Sequence, residues 1–95
     1  MRFEWDETKN ASNFRKHGIH FATATRVFED PGYVMVQDRE VDDEERWQTI
    51  GWAGDVMLLL VAHTAEEVEE DLVVRIISAR EATAQERRHY AANTH

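Results

Sequence analysis

The chain has 95 residues, of which 42% are hydrophobic and none is cysteine, and its formal net charge is −8. The length predicts a single domain spanning residues 1–95, the apolar content excludes a disordered chain, and the lack of cysteine excludes disulfides and thiol catalysis. No signal peptide is visible and the longest apolar run, residues 56–62, is too short for a membrane span of about 20 residues, so we expect a cytoplasmic protein with no membrane association.

The N-terminal third of the sequence predicts a short strand followed by two helices. Residues 2–5 alternate polar and aromatic side chains, which favours a strand. Asp6 is a good N-cap for a helix over residues 7–17, and Gly18 suits the left-handed position that ends it. A second helix is predicted over residues 21–29, where apolar side chains recur on one face.

The rest of the sequence predicts four strands and a final helix. Residues 33–37, 46–52, 56–63 and 72–80 are rich in β-branched and apolar side chains, with turn residues between them. Thr83 and Glu86 have the spacing of a capping box that opens a helix. The order predicts an α+β fold, with an N-terminal strand and two helices, a four-stranded antiparallel meander and a C-terminal helix.

Two acidic runs carry most of the negative charge. Residues 38–45 hold six acids and one base, and residues 66–71 hold five acids and no base, which together give −10 and leave the remainder at +2. A chain with a net negative charge repels nucleic acid, but here the negative charge is concentrated in two runs, so the rest of the chain does not repel it. We expect both runs to form solvated loops, with docking of a basic partner as the alternative.

Several motifs, in order and over nearly the whole chain, resemble the BrnT family of ribonuclease toxins from bacterial type II toxin–antitoxin pairs. They are F-E-W-D-E-T-K at residues 3–9, Asn13, K-H-G at 16–18, A-x-x-V-F-E-D-P at 24–31, V-x-H-T at 61–64 and R-I-I-S-A-R-E-A-T-x-x-E-R-x-x-Y at 75–90. The resemblance implies a RelE-like fold and endoribonuclease activity that needs no metal or cofactor. It also implies a BrnA-like antitoxin with a ribbon-helix-helix region, through which the pair would contact operator DNA.

Metal-free RNA cleavage needs a base for the 2′-hydroxyl, an acid for the leaving oxygen and fixed cations for the phosphate. Arg80 is the first candidate for the phosphate, with a salt bridge to a nearby glutamate as the alternative. Glu86 is either a general base with a raised pKa or only a capping residue. His63 is either a proton carrier at a cleft rim or a core residue. Arg46 either contacts RNA or pairs with the preceding acids.

Four further cations are candidates for RNA binding. Lys9 and Lys16 lie two turns apart on one helix face, and Arg87 matches the family motif. Arg75 is predicted on the opposite face of its strand from Arg80, because side chains alternate along a strand; if a helix covers that face, the alternative to RNA contact is an ion pair with an acid. No metal site is predicted.

A different class of function is also compatible with the sequence. A catalytically weak or inactive module could serve only as the antitoxin's partner and co-repressor. The acidic runs favour it, because they would repel RNA and attract a basic protein.

Overall fold

The computed structural model describes residues 1–93 and shows an α+β protein. Within that range five strands, three α-helices and one 3-10 helix occur. In chain order these are β1 (Arg2–Glu4), α1 (Glu7–His17), α2 (Phe21–Ala24), the 3-10 helix (Thr25–Glu29), β2 (Val34–Val41), β3 (Glu44–Ala53), β4 (Met57–Val68), β5 (Asp71–Glu81) and α3 (Ala84–Asn93). None of the helices in this range is long and apolar enough to cross a membrane.

The strands form one mixed sheet in the order β1-β5-β4-β3-β2. Successive strands from β2 to β5 pair antiparallel, and β1 pairs parallel to β5. The predicted α+β class is confirmed, with the N-terminal strand incorporated into the sheet.

The acidic runs lie mostly inside strands, so the prediction of two solvated loops is wrong for most of their residues. Only Asp42–Asp43 and Glu69–Glu70 form turns, and all four have positive φ. Such two-residue turns match the twist of paired strands, which lets the hairpins extend to their tips. The register of β3 and β4 places both tips at the same end of the sheet, which we call the acidic end.

The second predicted helix is interrupted. The α-helix ends at Ala24, and the chain continues as a 3-10 helix to Glu29. This segment packs tightly on β3, since a Cβ added to Gly51 would lie 2.9 Å from the carbonyl oxygen of Val27. The predicted continuous helix over residues 21–29 is therefore wrong in its second half.

A β-bulge in β5 changes which side chains share a face. Ala62 pairs with Ser78 while His63 pairs with Ile76, so Ile77 is an extra residue without an opposite partner. Successive side chains along a strand point to opposite faces of the sheet. The extra residue shifts this pattern by one position, so every residue of β5 after Ile77 lies on the face opposite to the one that strict alternation predicts. Arg80 therefore shares a face with Arg75, and the prediction that they lie on opposite faces is wrong.

The two faces of the sheet are covered unequally. The helices α1 and α2 and the 3-10 helix lie over one face, which we call the covered face, and enclose a core that includes Phe21, Leu59, Val61 and Ile76. On the other, open face, α3 covers only one end through a small cluster of Ile50, Leu58, Leu60 and Ala82 with Trp52 and Tyr90. Within residues 1–93, no helix lies over the rest of the open face.

Candidate functional site

Three arginines surround a shallow area of small side chains on the open face. Arg75 pairs with Thr64, and Arg80 pairs with Leu60, so both strands contribute to one surface. Trp47 pairs with His63 on the covered face, which puts its neighbour Arg46 on the open face. We call this surface the arginine basin; it consists of Arg46, Arg75 and Arg80 around Ala62, Thr64 and Ser78.

Strand geometry sets the scale of the basin. Arg46 and Arg75 lie on strands either side of β4, which separates their Cα atoms by about 10 Å. Arg80 lies four steps of register from Arg75, which amounts to about 14 Å along the strand. An extended polyanion can therefore contact all three.

Arg75 and Arg46 differ in how far the protein satisfies them. Arg75 donates from Nη2 to Oε1 of Glu44 at 2.7 Å, and both side chains are well exposed. In Arg46, the buried Nε has no hydrogen-bond partner in the described chain. An unpaired buried N–H is costly, and a bound anion is one way to satisfy it.

Arg80 is held by Glu86 in a two-pronged ion pair. Its Nη1 donates to Oε1 at 2.8 Å, and its Nη2 donates to Oε2 at 3.0 Å. Glu86 also accepts from the backbone N–H of Thr83 at 2.9 Å while Thr83 Oγ1 accepts from the N–H of Glu86 at 3.2 Å. The predicted capping box is confirmed, and Glu86 joins the end of β5 to the start of α3.

The electrostatics of this pair disfavour Glu86 as a ready base. The hydrogen bond from Arg80 outweighs partial burial and lowers the pKa of Glu86 below 4.5. The same hydrogen bond raises the pKa of Arg80. A general base needs a raised carboxyl pKa, and the structure gives the opposite direction. Glu86 therefore positions Arg80 in this conformation.

His63 lies on the covered face and is fully buried. Its Nδ1 donates to the carbonyl oxygen of Thr64 at 3.0 Å, and Nε2 lies 2.7 Å from Oγ1 of Thr49. Burial lowers its pKa below 6.5, so the ring is neutral. The expectation that His63 carries protons at a cleft rim is not supported, because the sheet separates it from Arg80.

The remaining cations lie outside the basin. Lys9 and Lys16 are exposed on α1, and no ion pair with them occurs among residues 1–93. Arg87 lies on α3 with its guanidinium carbon 6.0 Å from the ring centroid of Trp52. Cations within about 6 Å of an aromatic face are attracted to it, so Arg87 and Trp52 are neighbours in one surface region.

Asp30 connects the 3-10 helix, the sheet and α3. Its Oδ2 accepts from the backbone N–H of Trp52 at 2.9 Å and from the hydroxyl of Tyr90 at 2.7 Å, and its Oδ1 accepts from Gly32 N–H at 2.8 Å. Burial opposes ionisation, but these three hydrogen bonds outweigh it and lower the pKa of Asp30. Burial and the neighbouring carboxylate raise the pKa of Tyr90 to about 12.

Asn13 has a role that sequence reasoning missed. Its side chain is buried, donates from Nδ2 to the carbonyl oxygens of Ile19 and Ala79 at 2.9 Å each, and accepts from Ala79 N–H at 3.1 Å. The amide thus substitutes for a paired strand at the edge of β5, one residue before Arg80. No periodicity marks this position, since its neighbours on α1 are polar too.

No group of three His, Asp or Glu side chains in residues 1–93 is arranged to hold a metal ion. The described side chains at the basin are arginines, the two glutamates that pair with them (Glu44 and Glu86), and neutral residues. What they offer chemically is binding of a polyanion and stabilisation of added negative charge on it.

Comparison with known proteins identifies a family and a similar solved structure. The family model described as "Ribonuclease toxin, BrnT, of type II toxin-antitoxin system" matches residues 5–86. The 1.1 Å crystal structure of the Brucella abortus ribonuclease toxin BrnT is similar, with a TM-score of 0.60 and 25% identity, covering 87% of this chain and 97% of that chain. No curated protein matches.

Proposed function

The chain belongs to the BrnT family of ribonuclease toxins of type II toxin–antitoxin systems, and from that premise we propose that it is an endoribonuclease toxin that needs no metal ion. We further propose a single cytoplasmic domain with a RelE-like fold. The single observation that carries the proposal is the arginine basin, where three cations share one face despite a chain charge of −8.

The basin suits RNA because its floor is low. Ala62, Thr64 and Ser78 present short side chains between strands, while the arginines rise at the margins. A ribose–phosphate backbone can lie across such a surface with its phosphates near guanidinium groups. Arginine is suited to this because its planar fork binds two phosphate oxygens and stays charged.

In the reaction we propose, the 2′-hydroxyl attacks the adjacent phosphorus to give a 2′,3′-cyclic phosphate, its proton passes to water, and the 5′-oxygen leaves as a hydroxyl with a proton taken from water. Arg80 stabilises the charge that accumulates on the phosphate oxygens, and Glu86 fixes the direction of its guanidinium. The guanidinium of Arg46 adds positive charge beside the same backbone. Arg75 and Arg87 bind flanking phosphates. Glu86 acts by positioning Arg80 and not as the base, because the ion pair with Arg80 lowers the pKa of Glu86.

We also propose an antitoxin partner of the BrnA type, with a ribbon-helix-helix region that alone contacts operator DNA. The chemistry of the acidic end supports a basic partner of this kind. It gathers eleven carboxylates from residues 38–45 and 66–71 at one end of the sheet. This end would repel DNA and so leaves DNA contacts to the partner.

The test is incubation of the purified protein with a defined RNA in EDTA, alongside Arg80→Ala and Arg46→Ala. We expect cleavage by the wild type and at least a tenfold loss in each variant, roughly the effect of removing one charge-stabilising donor. Arg39→Ala is the matched control, because Arg39 is an exposed arginine at the acidic end. Circular dichroism checks that each variant is folded. Equal cleavage by all four proteins would refute the basin as the site.

A second candidate is a catalytically inactive co-repressor that only binds the antitoxin. The observation that favours it is the acidic end, which disfavours RNA. It predicts no cleavage by folded wild type with or without Mg²⁺, no growth arrest on expression, and unchanged antitoxin binding in Arg80→Ala.

A further inference from the structure

Beside the arginine basin, at the end of the sheet opposite the acidic end, lies an open cleft of about 550 Å³. Its lining comes from the 3-10 helix, the segment that follows it and the turn between β3 and β4. The lining residues are Arg26, Glu29, Asp30, Pro31, Trp52, Gly54 and Asp55.

Some charged side chains of this cleft are already hydrogen-bonded to the protein, and others are not. Both oxygens of Asp30 already accept hydrogen bonds from the protein. By contrast, Arg26, Glu29 and Asp55 are exposed and make no side-chain hydrogen bond or ion pair within residues 1–93. One guanidinium and two carboxylates are thus available to a ligand.

The backbone at Gly54 makes room for the guanidinium. A Cβ added there would lie 3.0 Å from Nη2 of Arg26, and Gly54 has a φ of +66°. Any other residue would be strained by that φ and would push Arg26 aside. Trp52 is half-buried at the same cleft, and the Arg87 side chain over it is exposed.

We propose that this cleft binds a guanine base of the RNA, with Trp52 as the stacking surface, Arg26 on O6 and N7, and Glu29 and Asp55 on the N1–H and N2 amino group. The inference rests on the proposed function and names the base next to the cleaved backbone. Arg87 then leaves Trp52 for the adjoining phosphate.

Guanine fits better than the other bases because the cleft offers both charges. Arginine binds the O6 and N7 acceptors of guanine with two hydrogen bonds, and carboxylates accept from its N–H donors. Adenine presents an acceptor at N1, which a carboxylate repels, and it lacks a second acceptor beside N7. Unstacked bases held on aromatic or arginine planes and read along their edges are the usual mode of single-stranded RNA recognition.

A basic side chain from a protein partner is the competing occupant. It would gain Glu29 and Asp55 but would meet Arg26 within the cleft and Arg87 at its edge. A basic side chain has no acceptor for Arg26 or Arg87 and so satisfies only the carboxylates, whereas guanine has acceptors for a guanidinium as well as donors for the carboxylates.

The test is NMR titration of the purified protein with guanosine 5′-monophosphate and adenosine 5′-monophosphate. The reporter is the Trp52 indole N–H signal, identified by its absence in Trp52→Phe. We expect the guanine nucleotide to shift this signal and to bind about tenfold more tightly than the adenine nucleotide, the usual gain from one good bidentate contact. In the Glu29→Gln/Asp55→Asn double variant, we expect this preference to be smaller, and in Glu29→Gln/Asp55→Asn combined with Arg26→Ala we expect the two affinities to become equal, because the contact of Arg26 with O6 and N7 is then lost as well.

The matched control is Glu66→Gln/Glu67→Gln, which removes the same charge at the acidic end and should keep the guanine preference. Equal binding of both nucleotides by the wild type, no shift at Trp52, or a preference that is undiminished in Glu29→Gln/Asp55→Asn would overturn the proposal. So would a Trp52 shift produced by N-acetylarginine amide and not by the nucleotide.

The readout separates this inference from the proposed function. RNA cleavage without guanine binding at Trp52 leaves the ribonuclease standing and removes the base site. Guanine binding without cleavage of any RNA supports the base site and removes the ribonuclease activity.

Discussion

The two faces of the sheet differ in how far their polar side chains are hydrogen-bonded within the protein. On the covered face, His63 and Asn13 are buried and form hydrogen bonds to other groups of the protein. On the open face, Arg46 keeps a buried Nε–H without a partner in the described chain, and Arg75 is tied only by one exposed ion pair. Polar groups on the covered face therefore hydrogen-bond within the protein, whereas Arg46 and Arg75 on the open face can still bind a ligand.

The largest effect should come from Asn13→Ala on the covered side. The change leaves two carbonyl oxygens and the Ala79 N–H unpaired, and we expect a loss of about 3 kcal/mol in the free energy of unfolding. Urea denaturation measures it.

Ser12→Ala is the control for Asn13→Ala, because it makes the same change in helix propensity at an exposed neighbour on α1. A loss for Asn13→Ala no greater than for Ser12→Ala would mean that the amide does not hold α1 to β5.

Arg46→Ala should separate binding from stability on the open face. The lost guanidinium is unpaired at Nε, so we expect little change in unfolding but about a tenfold loss of RNA affinity, with the slope of log affinity against log salt reduced by about one. Filter binding at several salt concentrations measures this. Arg39→Ala should leave the slope unchanged, and an equal reduction there would assign the effect to overall charge.

The buried His63 predicts that the free energy of unfolding depends on pH. Burial lowers the pKa of His63 below 6.5, so the unfolded chain binds that proton more readily than the folded one. Its contribution to stability is complete above pH 6.5 and declines, by at most about 1.4 kcal/mol per pH unit, as the pH falls toward the folded pKa.

Urea midpoints between about pH 7.5 and about pH 5.5 test this decline, a window above the carboxyl pKa values. His63→Asn should show a flatter profile, because it cannot titrate. The exposed His17, His20 and His89 are present in both the wild type and His63→Asn, so they do not contribute to the difference between the two profiles. Parallel profiles would place the pH dependence elsewhere.

The smallest effect should come from Tyr90→Phe, at the junction where α3 crosses the edge of the sheet. It removes the 2.7 Å hydrogen bond to Asp30, at a cost of about 1 kcal/mol. The pKa of Asp30 should rise, since that hydrogen bond helps to lower it. Thermal unfolding compares it with Tyr33→Phe, whose ring is exposed beside Phe28. Equal melting temperatures would show that α3 docks without this hydrogen bond.

Local signals predicted much of this molecule. Asp6 and Gly18 delimit α1 as expected, with Asp6 accepting from Thr8 N–H and Gly18 at a φ of 73°. The capping box at Thr83 and Glu86 also forms. The acidic turns were missed, because Asp and Glu pairs are unusual at positive φ and the prediction placed loops there.

The sequence by itself determined the α+β class, the family and the identity of the candidate cations, because these depend on periodicity, caps and motifs within short windows. Only the tertiary structure decided which cations act together. One extra residue at Ile77 turns Arg80 onto the face of Arg75, and the pairing of Trp47 with His63 buries the histidine while turning Arg46 outward. A register shift of one residue exchanges the two faces of a strand, and strand register depends on contacts between segments that are distant in sequence.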